Sequence, residues 1–101
     1  MDVTKSKARD LLSNVPEHHV FICCDGRLIR SIRDLGKTLA HMNEDVFKYH
    51  ANHDKNDFSR WVRNVIGDEK LAKDLSQADS KNKTLKELSR RITFLSGQLA
   101  Q

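Results

Sequence analysis

Apolar residues recur along most of this chain at intervals of three and four, and crowd into adjacent or alternating positions only between residues 19 and 30. The first spacing lines one face of a helix and the second suits a strand, so the pattern predicts a mainly α domain with a small β-hairpin. Ala8, Leu11, Leu12 and Val15 share one side of a helix over residues 4–14, which Pro16 ends. Residues 19–24 are rich in β-formers, Asp25-Gly26 is a two-residue hairpin turn, and Leu28 and Ile29 resume the strand. A two-stranded hairpin is marginal alone, so it must lie on helices or pair with another chain.

Capping residues divide the remainder. Ser31 precedes the stripe Ile32, Leu35, Leu39 and Met42, with Asp34 at the capping-box position, which predicts a helix over 32–41. Asn43 opens a second helix, with Glu44 and Asp45 at its positive end, that stops near residue 52. Asn56 or Asp57 opens a third, with Phe58, Trp61, Val62 and Val65 inward and Gly67 as its left-handed terminator. A fourth starts at Asp68 and Glu69 and carries Leu71, Ala72, Leu75 and Ala78; residues 79–83 read as a polar linker. The last helix, 84–100, spaces Leu85, Leu88, Ile92, Leu95 and Leu99 as a heptad seam. The expectation is a single compact helical domain of five to six helices: an N-terminal helical arm (1–17), a core of hairpin plus helices (18–78) and a basic C-terminal helix (79–101).

At 101 residues the chain can bury one core and not two. Hydrophobic content of 38% is low, yet its regular placement argues against disorder. No apolar run approaches a membrane span and the N-terminus has no signal-peptide core, so a cytoplasmic protein with no membrane association is expected. Adjacent Cys23 and Cys24 point to opposite faces of a strand, which favours two reduced thiols over a disulfide, a shared metal site or a thiol nucleophile with His18 or His19. The net charge of +4 is unevenly placed. Residues 1–80 hold thirteen basic and thirteen acidic groups, whereas 81–101 hold Lys81, Lys83, Lys86, Arg90 and Arg91 against Glu87 alone. That asymmetry suits a solvated helix face or an anionic partner.

The segment 46–66 carries four of the six aromatics, Phe47, Tyr49, Phe58 and Trp61, interleaved with His50, His53, Asn56 and Asp57. Large rings among amides, carboxylates and imidazoles mark a hydrogen-bonded corner: a helix end and a helix start there leave carbonyls and amides to satisfy. A buried His50 would bridge the two helices through its ring nitrogens. The ordered set Phe21, Gly26-Arg27, Ser31-Ile32 with Leu35, Phe47-x-Tyr49-His50, Asn56-Asp57-Phe58-Ser59-x-Trp61-Val62 and Gly67-Asp68-Glu69-x-Leu71-Ala72 resembles a family of small bacterial and archaeal domains of unknown function. The likeness runs from about residue 21 to 75, with Tyr49-His50 followed by Lys55-Asn56-Asp57-Phe58 as its most specific piece; the first and last helices lie outside it. Members of that family stand alone or attached to larger proteins, which implies an accessory or binding role and no particular reaction.

With no glycine-rich phosphate loop and no carboxylate pair in an apolar setting, the residues point to a non-enzymatic binding or interaction module without a cofactor. Tyr49, His50, Asn56, Asp57 and Trp61 are the candidate binding corner. Two alternatives use other chemistry. Arg60, Arg63, Lys83, Lys86, Arg90 and Arg91 suit nucleic-acid phosphates, although a helix-turn-helix about Gly67 fails because Asp68, Lys73 and Ser76 are polar where that motif packs. His50 and His53, three apart on a helix, with Asp57 or Asp54, offer a divalent-metal site. The seam from Leu85 to Leu99 either closes the core or serves a protein partner or a homodimer, and Phe94 beside it widens the apolar face toward globular packing.

Overall fold

Each of the six α-helices among the described residues begins at a Thr, Ser, Asn or Asp whose side chain accepts an amide of the first turn. Thr4 caps α1 (Lys5–Leu12), Ser31 caps α2 (Ile32–Ala40) and Asn43 caps α3 (Glu44–His50). Asn56 caps α4 (Asp57–Trp61), Asp68 caps α5 (Glu69–Gln77) and Ser80 caps α6 (Lys81–Leu99). Each cap satisfies one of the amides a helix start leaves open, worth about 1 kcal/mol. The computed structural model describes residues 3–101. With a radius of gyration of 12.9 Å, that length forms one body.

Between α1 and α2 lie a single 3-10 turn, Glu17–His19, and a hairpin of β1 (Phe21–Ile22) with β2 (Leu28–Ile29), antiparallel with Phe21 opposite Ile29 and Ile22 opposite Leu28. The hairpin differs from the expected one in its turn. A two-residue Asp25-Gly26 turn of the favoured type needs positive φ at both residues, and no described non-glycine residue has it. The chain instead turns over residues 23–26, with the Gly26 amide on the Cys23 carbonyl (2.9 Å) and Gly26 alone left-handed. His19 does not start the strand: its carbonyl faces the indole of Trp61.

The third helix also changes character. After Trp61 the backbone widens into a π-type turn, Val62–Ile66, closed by the Gly67 amide on the Val62 carbonyl (2.8 Å) with Gly67 at φ 87°. The wider turn alters the helical phase, and Val65 is half-buried where Phe58 and Val62 are fully enclosed. α6 starts three residues earlier than its apolar pattern indicates, because Ser80 accepts the Lys83 amide and turns the polar run 81–83 into a first helical turn.

The core is continuous from α1 to α6. Ile32, Leu35 and Leu39 from α2, Phe58 and Val62, Leu71 and Leu75 from α5, and Leu88 and Leu95 from α6 are buried together. α1, read as an arm, contributes Ala8 and Leu11 to this core and packs chiefly on α6. The α6 seam lies against the same core: Leu88 and Leu95 are enclosed, and Leu85, Ile92 and Leu99 pack on them half-buried. A dimer through that seam would require α6 to leave its own domain. No described helix is long and apolar enough to cross a membrane.

A buried ion pair ties α6 to the α5 cap. Asp68 accepts two hydrogen bonds from the Arg91 guanidinium, at 2.7 and 3.0 Å, and one from the Leu71 amide. Its side chain is 1% exposed and that of Arg91 12%.

Candidate functional site

The corner forms where α3 ends and α4 begins. Asn52 closes α3 by donating to the Lys48 carbonyl (2.8 Å) and folds the loop by accepting the Asp54 amide (2.9 Å). A bridge between Ala51 and Asn56, with the Asn52 amide on the Lys55 carbonyl (2.8 Å), makes the loop a tight reversal. Asn56 uses both ends of its amide: the oxygen caps α4 at the Ser59 amide, and the nitrogen donates to the Leu75 carbonyl of α5 at 3.1 Å. Nearby, the Ser59 hydroxyl donates to the Ala72 carbonyl at 2.6 Å.

His50 is the centre of this arrangement. The imidazole is 5% exposed and packs against Phe21 and Phe58, with Tyr49 edge-on to it. Its Nε2 accepts the backbone amide of Cys24, in the hairpin turn, at 3.0 Å. An acceptor nitrogen carries no proton, so the ring is neutral and its proton lies on Nδ1, which donates to Asp57 Oδ2 at 3.0 Å. One side chain thus joins three elements: α3, the start of α4 and the hairpin. The expected bridge between two helices is present, and the link to the hairpin goes beyond it.

Asp57 gathers three donors: His50, Lys55 Nζ at 2.9 Å and the Arg60 guanidinium at 2.6 Å. Burial pushes its carboxyl up, but the hydrogen bonds from Lys55 and His50 outweigh that and hold it below the ordinary carboxylate range. Lys55 also stands 4.7 Å over the ring of Tyr49, a cation–π contact that covers the exposed phenol. Trp61 is 8% exposed, meets Phe21 edge-on and donates Nε1–H to the His19 carbonyl at 2.8 Å. Of the five corner residues, His50 and Trp61 are buried, Asn56 and Asp57 half-buried, and Tyr49 faces out.

The other candidate groups are not brought together as ligands. His53 is exposed on the loop and both nitrogens of His50 are engaged, so His50, His53 and Asp57 do not converge on a cation. No described group of three or more His, Cys, Asp or Glu side chains is placed to hold a metal ion. The thiols are free, Cys23 buried and Cys24 exposed, and burial chiefly pushes the Cys23 thiol up. His50 presents its nitrogen to a backbone amide there and has no lone pair left for a thiol. Among the basic candidates, Arg91 is committed to Asp68 and Arg60 to Asp57, whereas Lys83 and Arg90 make exposed pairs, with Asp79 at 3.0 Å and with Glu87 at 3.3 Å. Arg63 and Lys86 are exposed.

Beside the corner runs an open groove of about 840 Å³, between the end of α3, the 51–56 reversal and the turn joining α5 to α6. Phe47, Ala51 and Ala78 give it an apolar floor, and Glu44, Lys48, Asp54 and Asp79 set charges of both signs on its rim. Sequence spacing did not reveal the groove, since its walls come from segments some thirty residues apart whose approach depends on the Asn56 contact with α5. Nor did anything in the sequence connect Cys24 to His50.

A family model described as a family of unknown function, DUF5752, matches residues 16–96. The match takes in α6 as far as Ser96, so the basic last helix lies within the family domain and not outside it as the shorter resemblance implied. No curated protein and no solved structure matches the chain.

Proposed function

The chain belongs to the family of unknown function DUF5752, and from that premise we propose that it acts as a non-catalytic interaction module, its corner fixing the walls of a groove that receives a polypeptide segment. One observation carries the reading. The polar groups of the corner are satisfied within the fold, His50 through both nitrogens, Asn56 through both ends of its amide and Asp57 through three donors, which leaves them as supports and not as base, nucleophile or ligand. No buried side-chain nitrogen or oxygen among the described residues lacks a partner. A joint of that kind holds the loop reversal still, and a preorganised wall lowers the ordering cost of binding. The groove has the composition that a short peptide uses: an apolar floor for one or two side chains and charges of both signs for its backbone and flanks.

The test is selection of a displayed random peptide library on the purified chain. Enriched peptides are expected to lose at least about tenfold in affinity on Ala78→Trp, about 1.4 kcal/mol, which fills the floor. They should bind unchanged to Lys7→Gln, on α1. Failure to enrich any peptide, or peptides indifferent to Ala78→Trp while the variant melts like the parent, contradicts the reading.

A further inference from the structure

Two neighbouring helices present cations in succession on one face. α2 packs along α6, with Arg33 donating to the Ser96 hydroxyl at 2.8 Å and Gly36 close to Ile92. That register, 33 beside 96 and 36 beside 92, runs the helices antiparallel. Arg33 and Lys37 are four apart on the exposed side of α2, and Lys86 and Arg90 are four apart on the exposed side of α6. Ordered along α6 they follow one another as Arg33, Lys37, Arg90, Lys86, over about ten residues or roughly 15 Å. Successive phosphates of one strand are about 3.4 Å apart along a duplex axis, so the row spans about four phosphate steps.

The charge on this face is unbalanced. The only acidic residues in α2 and α6 are Asp34 and Glu87. Asp34 accepts the Arg30 amide, and Glu87 reaches Arg90 alone, across 3.3 Å in an exposed pair that a phosphate readily replaces. Lys37 and Lys86 make no ion pair among the described residues. The face also lacks what other anionic partners use. Its aliphatic residues, Leu85 and Ile92, are turned into the core, and Phe94, exposed four residues beyond Arg90 with Arg91 over its ring, is a single ring and not an apolar centre. A protein interface needs an apolar centre and a membrane-bound helix needs an apolar face to insert, whereas a phosphate backbone needs only the row of cations.

We propose that the α2–α6 face, through Arg33, Lys37, Lys86 and Arg90, binds the phosphate backbone of a nucleic-acid strand without reading its sequence. This surface is separate from the groove, and neither reading depends on the other. Of the basic set read from the sequence, Lys86 and Arg90 remain and Arg33 and Lys37 join; Arg91, Arg60 and Lys83 leave because Asp68, Asp57 and Asp79 hold them, and Arg63 lies on neither helix.

Fluorescence polarisation with labelled single- and double-stranded oligonucleotides of mixed sequence, between 50 and 200 mM salt, tests it. Four phosphate contacts predict an affinity loss on the order of a hundredfold across that range. The doubles Arg33→Gln/Lys37→Gln and Lys86→Gln/Arg90→Gln should each remove about half of the salt dependence on the logarithmic scale, while Lys70→Gln/Lys73→Gln, on α5, leaves it nearly unchanged. All six residues are exposed, so the variants should keep the parent's melting temperature, which a thermal scan checks. Absence of salt-sensitive binding to both oligonucleotides overturns the proposal, as does equal weakening by the Lys70/Lys73 control. Binding to poly-glutamate or phosphatidylserine vesicles without binding to oligonucleotides overturns it in favour of those partners.

Discussion

Asp68→Ala is expected to destabilise the chain by about 3–5 kcal/mol, read as a fall in the urea midpoint. The aspartate is almost wholly enclosed and accepts two hydrogen bonds from Arg91, so its removal strands a guanidinium in a setting that water barely reaches. The α5 cap at the Leu71 amide is lost with it, adding about 1 kcal/mol. Against a total stability of roughly 5–15 kcal/mol, a change of this size leaves a measurable unfolded population. Asp68→Asn/Arg91→Met separates the two effects: asparagine keeps the cap, methionine removes the charge, and the double variant should lie within about 1 kcal/mol of the parent. A loss below about 1 kcal/mol for Asp68→Ala would place Arg91 in solvent.

His50→Ala is the second large effect, at about 2–4 kcal/mol. It opens a cavity among Phe21, Phe58 and Tyr49, orphans the Cys24 amide and withdraws one donor from Asp57. Glutamine and asparagine divide the loss, since an amide of either length reaches one of the two partners and not both. The same joint shapes the acid limb of stability. Asp57 titrates below the ordinary carboxylate range in the fold, so its contribution is complete above that range and disappears as pH falls through the lowered value. Asp57→Asn, with no charge to lose, should flatten that part of a stability–pH curve.

What the sequence revealed follows a physical line. Helix starts were legible because capping is local: Ser31, Asn43 and Asp68 each act within three residues of themselves. The left-handed stop at Gly67 was legible for the same reason. Where two local signals competed the reading slipped. Ser80 as a cap was masked by the polar run after it, and Asp25-Gly26 overshadowed a turn centred one residue earlier. The π-type turn after Trp61 leaves no mark in an apolar pattern whose period it changes for only five residues.

Long-range pairings were a different matter. The sequence marked the residues of the corner and the enclosed Trp61, but the partner of His50 lies 26 positions away and is a backbone amide, which any residue supplies. The Asp68–Arg91 pair spans 23 positions and joins a residue read as a helix start to one read as a surface cation. The Trp61 indole likewise meets a carbonyl 42 positions away. Spacing and propensity specify which groups need partners, and only the packed chain decides which ones they find.

The central claim is that the aromatic and polar corner is a buried joint, with a neutral imidazole tying the hairpin turn to the helices. Nitrogen-15 NMR of the histidine side chains near neutral pH tests it most directly, combined with hydrogen exchange at the Cys24 amide. The account predicts a His50 ring protonated at Nδ1 alone, an Nε2 shift typical of an accepting nitrogen, and a Cys24 amide protected well beyond its turn neighbours. A proton on Nε2, or a Cys24 amide exchanging at the rate of an open loop, would contradict it.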